Sequence, residues 1–186
     1  MRLPPPSTPW YLLPLHGWQR RRYGTVLQPT SLWSYRPGAL LSFQALFAAL
    51  RRRKSPLPLA LRTLVSLRVS QLNSCDFCID LNASMLTAGG IDEDRALAVA
   101  DWRADERFSD SERLALQYAE AMTSTPPDVD EALFRRLQAA FTAEAIVELT
   151  AVIAFQNMSA RFNAALQADS HGFCRLRPAV QAAKSA

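Results

Sequence analysis

Helix formers dominate this chain: 29 Ala and 26 Leu stand against 8 Val and 4 Ile. Unbranched side chains lose little rotamer freedom in a helix, whereas strands favour β-branched residues, so the composition predicts an all-α fold. A length of 186 residues with 49% hydrophobic and 20% charged residues suits one compact domain with a real core and an added arm. None of the six glycines has the spacing of a phosphate-cradling loop or a dinucleotide fingerprint, which excludes nucleotide chemistry of those two kinds. Pro14 interrupts Leu12, Leu13 and Leu15, so no secretory signal is evident. The longest apolar run, 39–50, is well short of the roughly 20 residues that cross a bilayer. The expectation is a soluble, cytoplasmic protein with no membrane partner.

Helical spacing and capping residues divide the chain. Residues 1–36, rich in Pro, Arg and Trp, read as an arm laid over the body or a neighbour. Leu40, Phe43, Phe47 and Leu50 recur at helical spacing, and Arg51, Arg52 and Arg53 read as the solvated C-terminal turn of that helix, with an anion site as the competing reading. Ser55-Pro56 reads as the next helix start, with Leu61, Leu64, Val65, Val69 and Leu72 as its stripe. Asn73 and Ser74 favour a break and a restart at Cys75, and Gly89-Gly90 ends the new helix. A short helix is expected from about Asp92 to Trp102. Ser109 to Glu112 has capping-box spacing, Pro126-Pro127 closes that element, Leu133, Phe134, Leu137 and Phe141 mark another, and Thr142 caps a long last one. The body is thus 37–167, with an extension over 168–186.

Charge is divided unevenly. Residues 1–70 hold ten Arg and Lys54 but no Asp or Glu, although the net charge is only +4. Two readings stay open: an anionic partner, or docking of the basic half on the acidic one within the chain or between subunits. No nucleic-acid motif accompanies the basic half.

The chemistry concentrates in Cys75-Asp76-Phe77-Cys78. A helix N-terminus lowers a thiol's pKa, and a second sulfur three residues on allows reversible disulfide formation. One thiolate attacking a peroxide gives a sulfenic acid that the other cysteine condenses to a disulfide. The competing readings are two buried structural cysteines, and a zinc site formed with His171 and Cys174. Asp80 is the nearby carboxylate for proton work or for the helix dipole. Gln156, Asn157, Arg161 and Asn163 interrupt an apolar helix and face either the thiols or solvent. His16, alone in the arm, reads as structural.

The Arg68-x-Ser70-Gln71-x-Asn73 context of the CxxC, the following Gly89-Gly90 and the later segment 148–163 resemble the carboxymuconolactone decarboxylase superfamily, and within it the alkylhydroperoxidase D-like branch. That resemblance implies an oligomeric helical bundle (dimer, trimer or hexamer) that reduces hydroperoxides with electrons from a thiol or disulfide reductant protein. It implies no organic cofactor and no metal. It casts Cys78 as the peroxide-reacting thiol and Cys75 as its resolving partner, whereas the helix dipole alone would favour Cys75. Where the family carries a relay His and a Glu, this chain has Asn82 and Thr63. Neither titrates near neutral pH, which leaves Asp80 or water to move the proton.

Overall fold

A computed structural model describes residues 1–174. The described residues form helices joined by turns, without strands: α1 (Leu13–Tyr23), α2 (Gln28–Trp33), α3 (Pro37–Leu50), α4 (Leu59–Leu72), α5 (Asp76–Ala88), α6 (Glu93–Ala98), α7 (Asp110–Thr123), α8 (Glu131–Ala140) and α9 (Ala143–Ala165). The part of the C-terminal extension from 175 onward lies outside the described residues.

Helices α4 and α9 form the centre. The first packs against α5, α7 and α9, and the second also touches α3, α5, α7 and α8. Leu64, Val65, Leu116, Leu149 and Ile153 meet in one apolar cluster, nearly or fully excluded from water. Truncating such a residue to alanine costs about 2–5 kcal/mol. Arg62 and Arg68, from the basic half, pair across this centre with Glu148 and Glu120 of the acidic half at 3.1 and 2.6 Å.

Local capping sets the helix starts. Ser109 and Glu112 complete a reciprocal capping box on α7, Thr142 caps α9, and Asp92 and Asp130 cap α6 and α8. The helix expected from Ser55-Pro56 begins instead after Pro58. A proline disfavours helical geometry in the residue before it, so Leu57 cannot open the helix, and the Ser55 hydroxyl turns to Leu57 and Glu148.

The arm is more regular than its composition suggests. Gly24 (φ 77°) closes α1 in the left-handed region, with its N–H donating to the Arg20 carbonyl. Buried Gln19 then staples α1 to α2: its amide donates to Thr30 Oγ1 at 2.7 Å and accepts from the Leu27 N–H at 3.0 Å. Leu27 and Leu32 thereby reach a second apolar cluster containing Cys75, Phe77, Cys78 and Ala160.

Candidate thiol site at the α4–α5 elbow

The elbow follows from three residues. Asn73 ends α4, Ser74 takes a left-handed φ of 50°, and Cys75 becomes the N-cap of α5, as the restart at the CxxC predicts. A non-glycine residue in that region costs on the order of 1 kcal/mol and persists where neighbours hold it. Here they do. The Asn73 amide donates to Val69 O and to Asn157 Oδ1, both at 2.9 Å, and its oxygen accepts from Arg161 Nε at 3.1 Å. Asn157 and Arg161 therefore brace the elbow against α9 and do not face the thiols.

Cys75 and Cys78 are joined by a disulfide with Cα atoms 5.2 Å apart. The Cys78 N–H donates to Cys75 Sγ at 3.2 Å, the N-cap bond that would favour a thiolate after reduction. Both cysteines are nearly inaccessible in the chain's own surface, yet they differ in direction. Cys78 lines a cavity of about 410 Å³ enclosed by the arm, α3, α5 and α9, and Cys75 is not among its lining residues.

Amides surround the cavity end of the disulfide. Asn163 Nδ2 donates to Cys78 Sγ at 3.3 Å, while its Oδ1, also buried, has no hydrogen-bond partner. Asn82 Nδ2 donates to Cys78 O at 2.9 Å and to Ser70 Oγ at 3.2 Å, and Gln156 Nε2 donates to the same hydroxyl at 3.0 Å. The Ser70 hydroxyl in turn donates to Ser66 O at 2.6 Å. Among the described residues no carboxylate lines the cavity. Asn163 thus offers an N–H to a thiolate on Cys78, and a donor on the sulfur favours its ionised form.

Asp80 and Thr63 take other roles. The Asp80 carboxylate accepts from the N–H groups of His171, Phe173 and Cys174 at 2.9, 3.1 and 2.7 Å and from Ser170 Oγ at 3.0 Å, binding the segment after α9 to α5. With four donors on its oxygens, Asp80 anchors the tail to α5, a role that neither proton work nor the helix dipole, the two readings of its position near Cys78, names. Thr63 Oγ1 donates to Leu59 O at 2.8 Å, and the residue does not line the cavity. It lies seven residues, about 10 Å of helix, from Ser70.

The zinc quartet does not assemble. The sulfurs of Cys75 and Cys78 are bonded to each other, and Cys174 packs against the main core cluster. His171 lies between Phe77 and Phe173, with ring centroids 5.5 and 5.3 Å away. Among the described residues no group of three His, Cys, Asp or Glu could hold a metal ion. Burial holds the His171 imidazole below its ordinary pKa, against the opposing influence of Asp80 and Asp169, and its Nε2 accepts the Gln28 N–H at 3.4 Å. His16 is buried in α1 away from the cavity, and burial, followed by Arg20, lowers its pKa too.

Sequence reasoning did not identify the opposite wall of the cavity. Trp33, Phe43, Phe47 and Arg51 line it, and Arg51 departs from its neighbours Arg52 and Arg53, which remain exposed. The spacing of Leu40, Phe43, Phe47 and Arg51 carries the signal: a helical apolar stripe whose last member is cationic. Burial pulls the Arg51 guanidinium below the usual arginine range, with Tyr23 acting to raise it and Arg62 to lower it.

The carboxymuconolactone decarboxylase family model matches residues 37–121, from α3 into α7. The uncharacterized protein YnjA of Escherichia coli (strain K12) is 46% identical over 177 residues, covering 95% of this chain and 97% of YnjA. The chain belongs to the carboxymuconolactone decarboxylase family. Its fold is shared with the alkylhydroperoxidase AhpD core of an uncharacterized peroxidase-related protein from Ralstonia eutropha JMP134, at a TM-score of 0.82 and 22% identity over 92% of each chain. It is shared also with the debrominase Bmp8, at a TM-score of 0.78 and 22% identity over 89% of each chain. Within this carboxymuconolactone decarboxylase member, the matched segment supplies α3, the elbow and α5, while the arm and α9 complete the cavity from outside it.

Proposed function

We propose that the chain is a dithiol oxidoreductase that reduces organic hydroperoxides through a Cys75–Cys78 dithiol/disulfide cycle. The observation that carries the reading is a disulfide at a helix N-cap with one sulfur, that of Cys78, turned into an organic-sized cavity. In the reduced protein the Cys78 thiolate attacks the outer peroxide oxygen. The O–O bond breaks, Cys78 becomes a sulfenic acid, and the departing alkoxide takes a proton from water to leave as an alcohol. The Cys75 thiol then displaces hydroxide from that sulfenic acid, forming the disulfide and releasing water. An external thiol or disulfide reductant protein returns two electrons and two protons. Asn163 is the N–H donor to the reacting sulfur, and Asn82 and Gln156 hold the surrounding hydroxyl network.

Among the described residues, no helix is long and apolar enough to cross a membrane. The need for continual re-reduction favours a cytoplasmic location. Homo-oligomeric assembly belongs to the same proposal.

A second reading, reductive dehalogenation of an aromatic compound by the same thiols, is favoured by the aromatic cavity wall and the fold shared with the debrominase. Both readings meet one experiment: mass spectrometry of reduced protein after a brief dose of an organic hydroperoxide or of tribromopyrrole, beside Cys75→Ser and Cys78→Ser. The peroxide reading expects rapid Cys75–Cys78 disulfide formation and a trappable sulfenic acid on Cys78 in Cys75→Ser. Cysteines that remain reduced while the peroxide persists would sink it. Oxidation by the bromopyrrole alone would install the second reading.

A further inference from the structure

The cavity has a direction, and its two ends differ chemically. Trp33 stacks on Phe162 at 4.1 Å and on Phe43 at 5.5 Å, while Phe43 and Phe47 pack on Phe155 at 4.8 and 6.0 Å. Passing from Trp33 to Phe47 thus means passing backward along α9 from 162 to 155. Asn163, which touches Cys78, lies at one end. Arg51 lies at the other, one turn beyond Phe47, with its guanidinium 5.4 Å from the centre of that ring. Eight residues of α9, a rise of roughly 12 Å, separate Asn163 at the thiol end from Phe155, against which the arginine end of the aromatic wall packs.

The cationic end lacks a counter-charge. Among the described residues the Arg51 side chain makes neither an ion pair nor a hydrogen bond, leaving a planar fork of N–H donors against a half-buried, aromatic surface. The nearby Arg62 does not share this condition, since Glu148 and the Leu50 and Arg52 carbonyls occupy it. Among the described residues the cavity offers no carboxylate to Arg51. Of the two guanidinium groups that line the cavity, Arg22 is exposed and lies over the Tyr23 ring, whereas half-buried Arg51 at the end of the aromatic wall matches one monoanionic, planar acceptor on an apolar body.

We infer that this cavity binds an extended apolar monocarboxylate, with its carboxylate on Arg51 and its apolar chain running past Cys78. Resting on the dithiol reading above, the substrate is the hydroperoxide of such an acid and the product its hydroxy acid. Electrons and atoms balance as in the cycle already written, and the carboxylate takes no part in the chemistry.

The test has a binding arm and a reaction arm. In the first, tryptophan fluorescence reports binding of linoleic acid and of methyl linoleate to the oxidised protein, both kept below the concentrations at which they aggregate. The acid is expected to bind about 10- to 100-fold more tightly than the ester, the size of one charge-assisted contact, and Arg51→Gln to remove the difference while Arg51→Lys keeps part of it. In the second, the hydroperoxides of the acid and of its ester oxidise the reduced protein, and the ratio of their rates should follow the same pattern across the variants. Equal affinity for acid and ester, or an Arg51→Gln change that weakens both alike, would overturn the ligand assignment. Acid binding that depends on Arg51, with no hydroperoxide oxidising Cys78, upholds the assignment and removes the peroxidase reading. Oxidation of Cys78 without preference for the acid removes the assignment and leaves the peroxidase reading standing.

Discussion

Asp80 and Asn82 lie two residues apart on α5 and are equally buried, at 6% exposure each, yet they serve opposite faces of the helix. Asp80 faces the segment after α9 and gathers four donors from it. Asn82 faces the cavity beside Cys78, in a network of amides and hydroxyls that contains no carboxylate. A buried charge is tolerated where donors surround it, and a thiolate is favoured where negative charge is absent. At these two positions α5 places a carboxylate on the side where it fastens structure and a neutral amide on the side of the cavity.

The strongest way to break this contrast is to remove the anchor. Asp80→Ala leaves three backbone N–H groups without their acceptor. It is expected to cost the docked tail about 2–4 kcal/mol, seen as faster hydrogen exchange at 170–174 and a lower urea midpoint. A variant whose tail stays protected but whose Cys78 no longer reacts with peroxide would return Asp80 to the chemistry.

On the cavity face, Asn163→Ala removes the N–H directed at Cys78 Sγ. In a Cys75→Ser background the Cys78 thiol pKa is expected to rise by about one unit, equivalent to about 1.4 kcal/mol, followed by thiolate absorbance against pH. An unchanged titration would show that the N-terminal turn of α5 alone sets the thiol.

The smallest effect belongs to His171 of the tail, which touches Gln28 of the arm and Phe77 of α5. Its pKa is depressed in the fold, chiefly by burial, so the unfolded state binds the proton more readily. Docking of the tail is then at full strength above the ordinary histidine value of about 6.5 and weakens as pH falls through it toward the lower folded value. Hydrogen exchange at 170–174 should accelerate across that window in the wild type and stay flat in His171→Gln. The same slope in both proteins would assign the pH response elsewhere.

Much of the fold was legible because it is local. Ser109 with Glu112, Thr142, and the Asn73-Ser74-Cys75 break each act within a turn of the chain, and each functions where its spacing indicated. The start of α4 was misplaced because two prolines competed within three residues, and Ser55 found a partner 93 residues away. Gln156, Asn157, Arg161 and Asn163 of α9 illustrate the limit. Gln156 and Asn163 turn to the thiol network while Asn157 and Arg161 brace the elbow, a division set by the packing of α9 between α3, α4, α5 and α7.

What the sequence by itself determined is a helical chain, its principal breaks, and a CxxC placed where a helix begins, because propensity, capping and dipole act over a few residues. The same motif, with its flanking residues, carried the family. Only the tertiary structure decided that Cys78 and not Cys75 meets the cavity, that Asp80 holds the tail, and that Arg51 leaves its exposed neighbours to end an aromatic wall. Those outcomes depend on which distant helix supplies the donors and on which face is excluded from water, and neither is encoded within a single turn.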